Sequence, residues 1–286
     1  MFHPVDDYLA LPRAPHAWIV QDILPTSGLA SLYGRPKVGK SYAALQLAAA
    51  VGSPAAGEWL GFPIRNHGRV AYLQIDSPRE LWMERIEEVQ AAGVVFENVF
   101  FADALDAPYP FNILTDGYDW LKTSIAAFDP DVLIFDTIRE LHGGDENDSA
   151  QMKNVVALAR SAARRAACLF LAHSRKGAGL AGASDPDITD EMRGSGYISG
   201  RMDSIIRMTD HTIQVKGRAI SETTFAIKQD PESHLVFLAD DFHHKAYAVI
   251  TAASKDETDR ELARRLHASF PKRSYEACRS LVRRMR

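Results

Sequence analysis

The sequence predicts an α/β protein: a mostly parallel sheet covered by helices on both faces, extended late in the chain by antiparallel strands and closed by a small helical tail. Three observations carry that expectation. Short apolar runs alternate with amphipathic stretches of helical length between residues 29 and 173, the signature of strand–helix–strand units rather than of hairpins. One run, Leu29-Ala-Ser-Leu-Tyr-Gly34, passes through a glycine-bounded loop straight into an alanine-rich helix. The later runs lead to polar residues, Asp76, Asp136 and His173, at the strand ends where open parallel sheets bind their ligands.

The glycine-bounded loop, Gly34-Arg35-Pro36-Lys37-Val38-Gly39-Lys40-Ser41, matches G-x-x-x-x-G-K-[ST] in full. Glycine at both ends lets backbone N–H groups turn inward around a phosphate with no Cβ in the way. Lys40 reaches toward the outer phosphates, and the Ser41 hydroxyl is placed to ligate Mg²⁺. The helix from Tyr42 to about Val51 points its positive dipole end at the same anion. Residues Gly34 to Tyr42 therefore predict a nucleoside triphosphate site.

Length and composition bound the rest. The 286 residues suit one large α/β domain with a small appendage. The expected units are a lead-in segment over 1–28, the main domain over 29–250 and a basic helical tail over 251–286. No apolar run is long enough to span a membrane, and Met1-Phe-His-Pro-Val-Asp-Asp7 lacks the basic-then-apolar pattern of a signal. The two cysteines, Cys168 and Cys278, make no metal or disulfide framework, which suits a reducing cytoplasm. A net charge of −4 hides an asymmetry: residues 255–286 carry ten Lys/Arg against five Asp/Glu, and the remainder is acidic. Such a tail reads either as a surface for an anionic partner or as one solvated helix face.

In chain order, the proline-punctuated lead-in is expected to pack on the core or on a neighbouring subunit. Gly52 to Gly68 reads as a loop in which Trp59-Leu-Gly-Phe62 tucks under the core. Arg69 to Asp76 is a second buried strand, and Pro78 and Glu80 open a helix with Leu81, Ile86 and Val89 as its apolar positions. Asn98-Val-Phe-Phe101 is a third strand and Tyr118 to Phe128 a helix. Asp131 to Asp136 is a fourth strand, Ser149 to Ala167 a long helix capped by Asp148 or Ser149, and Cys168 to His173 a fifth strand. Residues 174–192, without apolar periodicity, read as a loop that is mobile or orders on a ligand. The runs Ser204–Thr209, Thr212–Lys216, Thr223–Ile227 and Leu235–Leu238 suit an antiparallel extension joined by turns such as Gly217-Arg218. After a linker at 251–258, Arg260 to His267 and Ser274 to Met285 read as short helices; Pro271 between them makes a helix-turn-helix reading weak.

The strand-end residues divide the remaining chemistry. Asp136, after four apolar residues and behind a full phosphate loop, is the carboxylate expected to hold Mg²⁺ directly or through water. Asp76 either orients the attacking water or caps the next helix. His173 senses the terminal phosphate or links the site to the following loop, or else is an ordinary strand-end histidine.

Asp136-Thr-Ile-Arg-Glu-Leu-His-Gly-Gly-Asp-Glu-Asn-Asp-Ser149 and the later Leu169-Phe-Leu-Ala-His-Ser-Arg-Lys-Gly177 resemble RecA-like ATPases of the RepA type, the hexameric plasmid and phage replicative helicases. The resemblance covers roughly residues 25–230. It implies a RecA-like P-loop core with ATP as the nucleotide, Lys40 and Ser41 on phosphate and Mg²⁺, Asp136 as the second metal carboxylate and His173 as the sensor. Arg193-Gly-Ser-Gly196 is similar to the turn such enzymes carry after their second mobile loop. Lys216-Gly-Arg218 is similar to the basic pair they insert into the next subunit's site. One departure stands out: the family places Glu where this chain has Asp76, and Asp where it has Ser77.

Two functions follow as expectations. In the first, a ring-forming helicase acts on single-stranded DNA, with loops 138–148 and 174–192 offering Arg139, Arg175, Lys176 and Arg193 to phosphates. In the second, a nucleotide-switched regulatory or recombinase-like ATPase binds DNA with little unwinding. The shorter carboxylate at Asp76 and the basic tail favour the second.

Overall fold

The computed structural model describes the chain apart from residues 1–2, 11–16, 104, 109, 145–147, 175–187, 189–195, 219–221, 240–248, 250–256, 271–274, 277, 280–281 and 283–286. A nine-stranded sheet forms its centre. In chain order come α1 (Val5–Leu9), β1 (Trp18–Val20), β2 (Leu24–Pro25), β3 (Leu29–Gly34), α2 (Lys40–Gly52), β4 (Glu58–Trp59), β5 (Phe62–Pro63), β6 (Val70–Gln74), α3 (Arg79–Ala91), β7 (Val99–Asp103), α4 (Asp116–Phe128), β8 (Val132–Asp136), α5 (Ser149–Ala163) and β9 (Ala167–His173). Then follow α6 (Gly196–Arg201), β10 (Ser204–Met208), β11 (Thr212–Gly217), β12 (Thr223–Gln229), β13 (Val236–Leu238) and, in the tail, α7 (Asp259–Ser269). The sheet order is β13-β12-β11-β10-β3-β9-β8-β6-β7. From β10 to β7 all neighbours are parallel, and β11, β12 and β13 add antiparallel at one edge. This is the α/β architecture the sequence predicts, with a mostly parallel sheet and an antiparallel extension, consistent with a RecA-like P-loop core.

The two-residue period of the strands sorts their side chains into two cores. Ala30 and Leu32, Val132 and Ile134, and Ala167, Leu169 and Leu171 face α2 and the short hairpins. Leu29 and Tyr33, Leu133 and Phe135, and Cys168 and Phe170 face the opposite cluster, which takes in α4 and α5. The same period sends Asp136 and His173, in step with Ile134 and Leu171, toward the α2 face. Parity along the strand is therefore what aims the strand-end groups at the phosphate loop.

Several expectations need correction. The first late run is not antiparallel: β10 lies parallel to β3, Ser204 opposite Ala30 and Met208 opposite Gly34, because the chain crosses over from β9 before it enters β10. On α3 the buried residues are Trp82 and Val89, whereas Leu81 is exposed; an apolar side chain one position away took the inward face. Helix α5 stops at Ala163 rather than Ala167, where Arg164 turns to φ +56°. Its N-cap is Asp148, whose side chain accepts from the amides of Ala150 and Gln151. The lead-in packs on the core, one of the two placements expected for it: β1 pairs with β2, and Ile19, Val20, Ile23 and Leu24 are buried in the main cluster. Trp59 and Phe62 are buried through the β4–β5 hairpin. In the tail, α7 opens with a reciprocal capping box between Thr258 and Glu261, and Leu262, Ala263 and Leu266 pack with Cys278 and Val282 in a cluster of their own. No described helix is long and apolar enough to cross a membrane.

Candidate functional site

The phosphate loop leaves the end of β3 between two strands, and its glycines are there because the backbone is crowded. A Cβ on Gly34 would lie 2.3 Å from the Met208 carbonyl oxygen on β10. Gly39 has φ +91°, and a Cβ there would lie 2.9 Å from the Gln229 side-chain nitrogen. Both positions exclude any other residue without a shift of the strand or of Gln229. Lys37, between them, also has positive φ (+66°).

A cleft of about 530 Å³ opens over this loop. Pro36, Lys37, Gly39, Lys40, Ser41 and Tyr42 line it from the loop side, Asp76, Ser77 and Arg85 from β6 and α3, and Asp136, Thr137 and His173 from the strand ends. The structure thus brings Asp76, Asp136 and His173 to one rim with Lys40 and Ser41. Gly34 lies at the base of the loop, and Arg35 and Val38 complete it; Val38 is buried. Arg175, Lys176 and Arg193 lie outside the described residues.

Lys40 sits at the centre. It is buried, and its Nζ donates to the carbonyls of Gly34 (3.1 Å) and Arg35 (2.9 Å) and lies 3.5 Å from Nδ1 of His173. Burial pulls its pKa down to about 8, partly offset by the negative charges of Asp136 and Asp76. A desolvated cation facing an open cleft is a receptor for an anion. Asp136 is fully buried; burial holds its carboxyl above the usual range, while hydrogen bonds from Ser41 and Tyr72 and the charge of Arg85 oppose that. The Tyr72 hydroxyl donates to Asp136 Oδ2 at 2.8 Å. Asp76 lies two residues past the end of β6 and is exposed. Beside Asp136, the buried Thr137 hydroxyl has no partner among the described residues. A buried lysine, a Ser–Asp pair and an orphaned hydroxyl on one wall fit a Mg²⁺-nucleotide: Ser41 and Asp136 would hold the metal, and Lys40 the outer phosphates.

Sequence reasoning missed four contributors. Tyr72 reads as a core aromatic on a buried strand, and Arg85 as one charge among many on α3. Its guanidinium lies 5.4 Å over the Tyr42 ring and 5.2 Å over Trp82. Gln229 and His234 also line the cleft, although Gln229 ends the late strand β12 and His234 lies in the turn between β12 and β13. Only Tyr72 carried a usable signal, since on β6 it shares the parity of Gln74 and of Asp76 just beyond, which places it on the α2 face.

Lys216 and Arg218 fall elsewhere. Gly217 pairs with Ser204, and Ser204 with Ala30, so the Lys-Gly-Arg turn lies level with the amino-terminal end of the parallel strands, the end opposite the phosphate loop. There Lys216 pairs with Glu222 at 3.7 Å and Arg218 with Asp203 at 3.3 Å.

A sheet with a phosphate loop at the carboxyl end of one strand and an aspartate at the end of another defines a P-loop ATPase. The chain matches the family model described as an AAA domain over residues 1–179, and it belongs to that family. The matched span ends just past β9, so the loop, Asp76, Asp136 and His173 lie inside it, and the β10–β13 extension and the tail lie outside.

Proposed function

We propose that the chain is an ATP-hydrolysing, DNA-associated oligomer of the cytoplasm, a replicative-type helicase that works as a hexameric ring on single-stranded DNA. The observation that carries this reading is the contact between His173 and Lys40 at 3.5 Å. His173 closes β9 immediately before the segment that carries Arg175 and Lys176. A histidine that feels the phosphate-binding lysine on one side and stands two residues before Arg175 and three before Lys176 on the other can transmit nucleotide state to a DNA-contacting element. In this reading Asp76, across the cleft, orients a water toward the terminal phosphate, and Asp136 with Ser41 would hold Mg²⁺.

One observation favours a nucleotide-switched regulatory ATPase instead. Asp76 is exposed and one methylene shorter than the glutamate its resemblance to replicative helicases leads one to expect, which loosens its hold on a water. Steady-state ATP hydrolysis with and without single-stranded DNA, paired with strand displacement on a forked duplex, separates the two. Strong stimulation with displacement supports the motor; hydrolysis indifferent to DNA and no displacement overturns it in favour of the switch.

A further inference from the structure

The mouth of the cleft is built from two elements that the sequence keeps far apart. Tyr42 and Gln46, four residues apart, share one face of α2. Gln46 clamps the edge strand β13 with its side-chain amide, donating to the Val236 carbonyl at 3.0 Å and accepting from the Val236 amide at 2.8 Å. Two residues before Val236, His234 comes down on Tyr42, with ring centroids 5.1 Å apart and planes inclined by 51°. The turn that delivers His234 is fixed from within: the Asp230 carboxylate accepts from the amides of Glu232 and Ser233, and the His234 amide donates to the Asp230 carbonyl. Gln229 donates to the His234 carbonyl at 2.9 Å while lying against Gly39 of the phosphate loop. His234 itself is held at φ +58°, a region disfavoured for residues with a Cβ and found where surrounding structure enforces it.

We infer that the imidazole of His234, braced by the Tyr42 ring, is the platform on which the base of the bound nucleoside triphosphate stacks. The inference rests on the phosphate-loop reading above and extends it to the other end of the same ligand. Phosphates seated on Lys40 and Ser41 leave the nucleoside running outward past Tyr42, the residue that follows Ser41. The half-buried His234 ring lines the same cleft. One ring face there meets a base of any kind, because stacking uses the π-face that every base has, and a purine gains most from its larger area. The β12–β13 hairpin thus closes the nucleotide site from outside the family-matched span.

The test compares two ligands. Calorimetric binding of Mg²⁺-ATP and of inorganic tripolyphosphate is measured on the full chain for wild type, His234→Ala, His234→Phe, Tyr42→Ala and Tyr42→Phe. His234→Ala is expected to weaken ATP roughly tenfold or more, the usual effect of deleting one aromatic stacking partner, and to leave tripolyphosphate unchanged. His234→Phe and Tyr42→Phe should bind ATP within a few-fold of wild type, and Tyr42→Ala should fall between. Equal losses for both ligands in His234→Ala, with His234→Phe no better, would assign the hairpin to holding the loop and overturn the platform. Unchanged ATP affinity in His234→Ala would overturn it too. A wild-type chain that binds neither ligand refutes the phosphate-loop reading itself, a result distinct from both.

Discussion

Nucleotide affinity should depend on pH through Lys40, and the structure sets the size of the effect. The free chain holds this lysine at about 8, below its ordinary 10.5, because burial disfavours the charged form more than Asp136 and Asp76 restore it. A polyphosphate seated on Nζ favours the charged form and returns the pKa upward. For a base whose free-state pKa is lowered and then raised by ligand, binding takes up a proton in the window between the two values. Affinity is full below about pH 8 and declines about tenfold per unit above it, each unit being worth about 1.36 kcal/mol. Between pH 7 and pH 9 the charged fraction of the free lysine falls from roughly nine-tenths to one-tenth, so affinity should drop about tenfold. The terminal phosphate, with a second ionisation near 6, adds little over that range. Calorimetry in buffers of different ionisation enthalpy reads the proton uptake directly. Lys40→Arg, which stays charged throughout, should flatten the profile even if it binds more weakly. A wild-type affinity that is flat from pH 7 to pH 9, or a Lys40→Arg profile that falls as steeply as wild type, would refute the argument.

Asp76→Asn should lower ATP turnover more than tenfold, in the range of about 10²–10⁴ that acid–base groups contribute, while Asp76→Glu keeps or raises it; unchanged turnover in Asp76→Asn would reduce the carboxylate to a helix cap. Tyr72→Phe removes a donor to the buried Asp136, so the carboxyl pKa should rise further. The Mg²⁺ concentration needed to half-saturate nucleotide binding should climb roughly tenfold or more, since a hydrogen bond to a charged group is worth about 1.5–3 kcal/mol. An unaltered Mg²⁺ titration would show that the Tyr72 hydroxyl does not set the acidity of Asp136.

The parts of this site that were legible in the sequence are those governed by local rules. A strand's two-residue period and its terminal polar residue suffice to place Asp136 and His173 beside a loop whose own residues announce it. What stayed hidden depends on how distant segments return. Nothing in Asp230-Pro-Glu-Ser-His234 distinguishes a hairpin tip from a turn that lies over the phosphate loop, because the Gln46 clamp that seats it is 190 residues away in sequence. The parallel placement of β10 was equally invisible: its alternation suits either direction, and only the crossover after β9 decides. On α3, Leu81 and Trp82 are adjacent apolar residues, and helical spacing alone does not choose between them. The neighbouring Tyr72 and Phe101 rings do, since Trp82 packs against both.

The turn at Lys216-Gly-Arg218 carries the sharpest consequence for assembly. It lies level with Ala30 at the start of β3, and the phosphate loop begins at Gly34. Four strand residues separate the two edges by about 13 Å, before the loop adds its own length. Arg218 is therefore useless to its own nucleotide. In a head-to-tail ring, however, one edge of each subunit faces the opposite edge of the next, which would carry Arg218 toward the neighbour's cleft. In the single chain its side chain is 66% exposed and pairs with Asp203. An exposed pair of that kind holds by about 1 kcal/mol or less, and Asp203 keeps a second partner in the Leu29 amide, so releasing the guanidinium costs little. A planar cation delivered to the transferred phosphoryl group in other enzymes is worth roughly 10³–10⁵ in rate. Arg218→Ala and Lys40→Ala subunits should each be inactive alone and recover part of the activity when mixed, because an intact Arg218 from one completes the intact loop of the other. Full activity of Arg218→Ala alone would remove the residue from catalysis, and failure of co-assembled subunits to complement would show that no site is shared between them.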